Sequence, residues 1–262
     1  MAEPSIVFLM YHELEQPGRV LCHPEPGYVR YVLRASDFQT QMLFLQNHGW
    51  RGVNVGEALR FPEHKTVAVT FDDGSETDLT CAAPVLRQLG FGATFYITAG
   101  WLGQNGYLRQ SQLRELSALG FEIGCHSMTH AYLTDLDQNG LQREIGDAKL
   151  QLEQVIGMPV EHFSCPGGRF DQRVANIARQ AGYRTVATSR IRANSKSTDP
   201  FALGRIAIMR STSPAEFEKL CSGRGFWQSR MRLQLLTVGR NMLGNSFYDR
   251  VRNALLRQGP PE

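Results

Sequence analysis

The chain lacks an apolar run long enough to cross a bilayer. Its longest early run, Ile6 to Tyr11, has six residues, against the ~20 that a spanning helix needs. That run carries neither the basic flank nor the small-residue cleavage site of a signal peptide, which points to a cytoplasmic protein. Cysteine is sparse: Cys22, Cys81, Cys125, Cys165 and Cys221 are odd in number and scattered. They read as reduced thiols and exclude a disulfide framework. Without a Cys-x-x-Cys pair, a thiolate zinc site has no support. Charge of one sign is also lacking, the net being +3. With no stacking-aromatic motif or zinc finger beside it, this excludes an obvious nucleic-acid binder. Histidine is absent after His162, and no linker, low-complexity segment or fixed-period repeat occurs before about Gly223.

What remains is an ordinary globular composition: 262 residues, 42% hydrophobic and 20% charged. One large α/β domain suits that length better than two small ones. Short β-branched or aromatic runs alternate with segments of helical period. Strands are predicted at Ile6–Tyr11, Thr66–Phe71, Ala93–Thr98, Phe121–Gly124, His162–Cys165, Arg184–Thr188 and Arg205–Met209. Helices are predicted near residues 36–48, 78–89, 111–119, 138–156, 172–181 and 214–221. Ser36-x-x-Gln39 reads as a capping box, and Ser213-Pro214-x-Glu216 as an N-cap with Pro at N1. Gly49, Gly90, Gly120, Gly157 and Gly182 each follow a helical stretch, where a left-handed residue closes the last turn. Seven such β–α units suit a closed, TIM-like parallel barrel one unit short of eight. The barrel is assigned to residues 1–222 and a basic amphipathic helical tail to 223–262. Between Arg224 and Arg257 the tail holds seven arginines and one acid, a net +6 that leaves the rest of the chain at −3. Its apolar residues recur at roughly helical spacing, interrupted by Gly239 and Gly244.

Two motifs carry chemistry. Thr70-Phe71-Asp72-Asp73-Gly74 ends one predicted strand, and His126-Ser127-Met128-Thr129-His130 follows another. Strand C-termini of a parallel barrel converge on one mouth, so these residues can face one cavity. One carboxylate and two imidazoles, Asp73, His126 and His130, form the ligand set of an open divalent-metal site, zinc first among the candidates. Such an ion lowers the pKa of a bound water toward ~7. Asp72 is left to orient that water and accept its proton. Cys125, beside His126, points to the opposite face by strand alternation and is assigned to packing. His23, His48 and His64 are expected in solvent, and His162 in a structural role.

With both motifs on the page, the chain resembles the polysaccharide deacetylase family, also called the NodB-homology family or carbohydrate esterase family 4. Ala93-Thr94-Phe95-Tyr96, Ala131-Tyr132-Leu133-Thr134, Phe163-Ser164-Cys165-Pro166-Gly167-Gly168, Ala181-Gly182-Tyr183 and Arg205-Ile206 extend the likeness over roughly residues 5–210. The resemblance implies a distorted (β/α)7 barrel that removes acetyl groups from N-acetylated sugars with a Zn²⁺-like ion. It implies Asp72 as general base and Asp73, His126 and His130 as ligands. It also implies the Gly167 N–H as an oxyanion donor, a contact worth roughly 3–4 kcal/mol in such sites.

Two departures stand out. Ser164 occupies the place of the family's base-orienting arginine, and Arg169 is the nearby candidate to replace it, or to meet substrate. The late histidine that protonates the leaving amine is missing; the matching segment is Arg205-Ile206-Ala207-Ile208. The chain is similar here to the branch of biofilm poly-N-acetylglucosamine deacetylases, whose first strand ends in Tyr-His. Met10-Tyr11-His12-Glu13 matches that feature, which implies His12 as the acid. Imidazole is suited to donating a proton at neutral pH. The expected substrate is an N-acetylated polysaccharide, oligosaccharide or lipid-linked precursor at the inner face of the plasma membrane. The basic tail would supply peripheral membrane contact there. The alternatives are a catalytically silent glycan-binding relative, or a deformylase or O-acyl esterase on the same fold.

Overall fold

Parallel strands buried on both faces organise the molecule. The computed structural model describes residues 5–61 and 63–226. In chain order the strands are β1 (Val7–Tyr11), β2 (Leu14–Glu15), β3 (Leu33–Arg34), β4 (Arg51–Val53) and β5 (Thr66–Phe71). They continue with β6 (Thr94–Ile97), β7 (Glu122–Cys125), β8 (His162–Ser164), β9 (Thr185–Ala187) and β10 (Ile206–Ala207). Hydrogen bonding runs β10-β1-β5-β6-β7-β8-β9, with β4 added beside β5 and β2 paired to β3. All these ladders are parallel. Beyond β9, Ala187 bridges Leu203, which brings the segment entering β10 against both β9 and β1. The sheet therefore curls into a distorted (β/α)7 barrel. Its seven ordered strands coincide with the seven predicted runs.

Alternation along each strand separates two apolar layers. Val67, Val69 and Phe71 of β5 join the large cluster between sheet and helices, with Leu9, Tyr11, Phe95, Cys125 and Phe163. Ala68 falls in the smaller interior cluster with Ile6, Phe8, Tyr96, Ala187 and Leu203. Extending that parity, Thr70 on β5 and Asp72 just after it, His126 after β7, Ser164 on β8 and His12 after β1 belong to the inward face. Gly124 is required by this layer. A Cβ there would lie 2.3 Å from the Tyr96 ring, which fills the interior.

Local chemistry explains the helix ends. Gly49, Gly90, Gly120, Gly157 and Gly182 all adopt positive φ, and Ser213 accepts from the Glu216 N–H as an N-cap. Ser36 does not cap. The helix Ala35–Asn47 starts earlier, after Arg34, because β3 runs straight into it. Sequence periodicity also misses β4 and the helix Val55–Arg60, whose N-cap Asn54 accepts from the Glu57 N–H. Two predicted helices contain π-helical turns, Asp78–Ala82 and Gln142–Asp147. Among the described residues no helix is long and apolar enough to cross a membrane. The predicted tail helices, and the membrane contact inferred from them, lie outside the described residues from 227 onward.

The end of the barrel opposite the motifs is bolted by Glu122. Its carboxylate accepts from Thr94 Oγ1 at 2.5 Å and from the Gly56 N–H at 3.1 Å, and faces His162 Nε2 at 3.3 Å. Burial raises this carboxyl, but His162, Thr94 and the Gly56 amide outweigh it and hold it below its ordinary value. A carboxyl depressed by folding adds stability above its unfolded pKa of about 4.3, and that stability is lost as pH falls through the folded value. Glu122→Gln is therefore expected to flatten the acid-side loss of stability, as checked by urea unfolding at neutral and mildly acidic pH.

Candidate metal centre and active site

β5 and β7 lie on either side of β6, so the residues that follow them emerge together at one mouth. Asp73 Oδ1 lies 3.6 Å from His126 Nε2 and 3.5 Å from His130 Nε2. The three donor atoms all fall within 4.8 Å of one another. Bonds of about 2.0–2.1 Å at a tetrahedral ion would separate neighbouring donors by about 3.3 Å. The spacing thus fits a shared cation. Asp73 and His126 are buried, and Asp73 Oδ1 has no hydrogen-bond partner among the described residues. A buried, unpartnered carboxylate oxygen costs free energy that a bound cation would recover.

The donor chemistry fits as well. His126 Nδ1 lies 2.9 Å from the Ser164 carbonyl oxygen. A carbonyl only accepts, so Nδ1 carries the proton and Nε2 keeps its lone pair for a ligand. Burial drives the His126 imidazole down to about 3 and lowers His130, so both rings stay neutral. Burial, with Asp72 alongside, pushes the Asp73 carboxyl up to about 6 despite His12, a shift that a cation would reverse. Asp73, Ser127 and His130 hold φ values of 80°, 70° and 64°. Left-handed backbone of this kind is strained for non-glycine residues and is concentrated at functional sites.

Asp72 is gripped by a residue the sequence reading did not select. Arg205, at the entrance to β10, donates from Nη1 to Asp72 Oδ1 at 2.6 Å and from Nη2 to Oδ2 at 2.7 Å. Arg205 Nη2 also donates to Ser164 Oγ at 2.7 Å, and Ser164 Oγ donates to Asp72 Oδ2 at 3.4 Å. Burial alone would raise the Asp72 carboxyl, but the Arg205 guanidinium, with His126, holds it well below the usual carboxylate range. Arg169 is the wrong arginine for this role. It pairs with Asp135 at 3.4 Å and lies over the Tyr132 ring. A lone charge in the apolar stretch Leu203 to Met209 was the signal available for Arg205, because a charge inside a barrel must be paired.

His12 follows β1, whose Tyr11 registers with Phe71, so it stands next to the start of the Asp-Asp motif. Its Nδ1 is buried with no hydrogen-bond partner among the described residues, and its ring sits 5.0 Å from that of Tyr31. Gly167 is exposed on the turn after β8, with φ 59°, and a Cβ there would lie 2.9 Å from the Tyr132 ring. His23 lies in a loop with 43% of its side chain exposed, and it also reaches the mouth of the site. Its Nε2 is 2.9 Å from the Tyr107 hydroxyl, and its ring meets Tyr28 and Trp101. Trp101 in turn stacks on His130 with centroids 5.2 Å apart. Trp101 and Tyr107 of this wall belong to the segment after β6, and His23 and Tyr28 to the loop after β2, which Glu13 anchors. That buried carboxylate accepts from Tyr28, Arg19 and the Cys22 N–H.

The family model for polysaccharide deacetylases matches residues 60–186, a span that holds both motifs and the Pro-Gly-Gly turn. Over that span the chain matches the polysaccharide deacetylase family. With deacetylases among its sequence relatives and its structural neighbours, it is a hydrolase of the amide-cleaving, deacetylase type. YxkH of Bacillus subtilis (strain 168) is 26% identical over 219 residues, 81% of this chain and 75% of YxkH. The peptidoglycan-N-acetylglucosamine deacetylase of Bacillus cereus is 36% identical over 126 residues, 48% of this chain and 57% of that enzyme. The Streptococcus pyogenes deacetylase PplD, solved in complex with acetate, superposes with a TM-score of 0.73 at 22% identity. That match covers 84% of this chain and 99% of PplD, and it shows the same fold. His12 and Arg205 both lie outside the span matched by the deacetylase model.

Proposed function

We propose that this chain is a metal-dependent hydrolase that removes N-acetyl groups from N-acetylated sugars in a polysaccharide, oligosaccharide or lipid-linked precursor. The observation that carries the metal dependence is the orphaned, buried Asp73 Oδ1 facing two neutral imidazole nitrogens. The sugar assignment rests on the family match and on similarity to the Bacillus cereus enzyme.

Asp73, His126 and His130 would hold the cation. A divalent ion there supplies Lewis acidity and makes a water acidic enough to attack at neutral pH. The chain's own residues do the rest. Asp72 takes the proton of the attacking water, using Oδ2, the oxygen 3.8 Å from His126 Nε2. As the water oxygen bonds to the acetyl carbon, charge grows on the carbonyl oxygen, and the Gly167 N–H is the backbone donor for it. His12 then gives a proton to the departing nitrogen as the carbon–nitrogen bond breaks, leaving acetate and a free amine.

The test joins metal content to product. Purified protein should carry about one divalent ion per chain and release acetate from N-acetylglucosamine oligomers, whereas His126→Ala should carry little or none. Formate rather than acetate from matched N-acyl substrates would change the acyl group assigned. A wild-type protein free of metal yet fully active would end the metal reading.

A further inference from the structure

We propose that Glu144 is a positioning residue that clamps the turn between the two histidines and so sets the affinity of the cation site. The proposal rests on the metal reading above. Residues 126–130 leave β7 as an irregular turn with Ser127 and His130 both left-handed. Such a turn has no helix or ladder to hold it, and its strain must be offset by surrounding contacts. On one side the backbone is tied to the segment after β6. The Ala99 N–H donates to the Ser127 carbonyl at 3.0 Å and the Gly100 N–H to the Met128 carbonyl at 2.8 Å. Inside the turn, Ser127 Oγ accepts from the His130 N–H at 2.9 Å.

Glu144 supplies the other side. Its Oε2 accepts from the Met128 N–H at 3.0 Å and the Thr129 N–H at 2.8 Å, and its Oε1 accepts from Thr129 Oγ1 at 2.7 Å. One carboxylate therefore satisfies three donors of the two residues that immediately precede His130. It does so while 7% exposed, so these bonds are shielded from competing water. The backbone around Glu144 supports the same role. It sits in the π-helical turn Gln142–Asp147 within the helical run 138–156. A π turn admits an extra residue, which rotates the side chains beyond it by about 100° relative to an unbroken α-helix. Such turns cost stability and recur at functional sites. Here the turn presents an acid inward from a helix that otherwise packs Leu141, Ile145 and Leu152 on the sheet.

The experiment compares full-length wild type, Glu144→Ala, Glu144→Gln and Thr129→Val. Zn²⁺ affinity is read by competition with a chromogenic chelator, the Co²⁺ absorption spectrum reports ligand geometry, and thermal unfolding controls for folding. Glu144→Ala is expected to weaken Zn²⁺ binding about 10–100-fold, the range seen when a group orienting a ligand is removed, and to alter the Co²⁺ spectrum. Glu144→Gln should stay close to wild type. Its amide oxygen can accept from both N–H groups, and its NH₂ can donate to Thr129 Oγ1. Thr129→Val, which removes one bond of the three, should fall between. A folded Glu144→Ala protein with wild-type Zn²⁺ affinity and Co²⁺ spectrum would overturn the proposal, as would Glu144→Gln binding as weakly as Glu144→Ala. If Glu144→Ala does not fold, an unchanged Co²⁺ spectrum in Thr129→Val overturns it equally. The two readings fail differently: wild type taking up no Zn²⁺ removes the metal site itself, while loss in His126→Ala but not in Glu144→Ala removes only the clamp.

Discussion

Arg205→Met should lower kcat/KM for acetate release by about 10³-fold, with Zn²⁺ affinity close to wild type. The expectation follows from what Arg205 touches. It meets none of Asp73, His126 and His130 in a hydrogen bond, but it holds both oxygens of Asp72 within 2.7 Å. Without it, Asp72 is a buried carboxyl with only Ser164 Oγ as a hydrogen-bond donor at 3.4 Å. Burial then raises its pKa, so the acid limb of the pH–rate profile should move upward. Sign and cause agree, because the guanidinium is what holds the folded value down. Arg205→Lys should rescue only part of the loss, since an ammonium cannot make two parallel bonds to one carboxylate. Stability should fall too, by roughly 3–5 kcal/mol, the cost of breaking one side of a buried pair. Asp72→Asn should be at least as damaging to turnover. The decisive measurement is the double variant. Residues that act as one unit are not additive, so Asp72→Asn with Arg205→Met should be little worse than Asp72→Asn alone. Equal kcat/KM in wild type and Arg205→Met would remove Arg205 from the active site.

Arg205 also marks where legibility in the sequence stops. The two motifs, seven barrel strands and five glycine helix ends are local patterns, written within a few residues, and strand-end convergence then brings Asp72, Asp73, His126 and His130 together. The arginine that orients Asp72 is 133 residues away along the chain. No periodicity reports such a contact, and proximity in sequence favoured Arg169 instead. β4 escaped for a related reason. Arg51-Gly52-Val53 is too short to show alternation and exists because the first half of β5 has a free edge, while the second half pairs with β6. The pairing of the loop residue His23 with Tyr107, 84 positions later, is likewise invisible in the sequence. Glu144 has the helical spacing of a surface acid. Only the π turn and the left-handed turn it faces reveal an inward carboxylate. In each case the missing information is a tertiary pairing between a polar side chain and a partner far away in the chain.

His12→Ala should lower kcat by about 10²-fold or more, the usual share of a positioned acid, and leave Zn²⁺ affinity and the Co²⁺ spectrum unchanged. Three observations support that role. It continues the inward parity of Ile6 and Phe8, it stands beside Asp72 through the Tyr11–Phe71 register, and its buried Nδ1 has no partner among the described residues. A buried nitrogen left unsatisfied is uncommon, and an incoming substrate group would satisfy it. Leaving-group chemistry gives a sharper test than rate alone. An amine must be protonated as it departs, whereas a phenolate leaves without help. His12→Ala should therefore lose far more activity on an N-acetyl amide than on an activated aryl acetate ester hydrolysed at the same centre. A uniform loss on both substrates would assign His12 to shaping the pocket rather than to proton delivery. Full kcat on the amide, in a protein holding its metal, would leave proton delivery to another group. His23 is the next imidazole at the mouth, and its bond to Tyr107 makes Tyr107→Phe the variant that would then be expected to shift the rate.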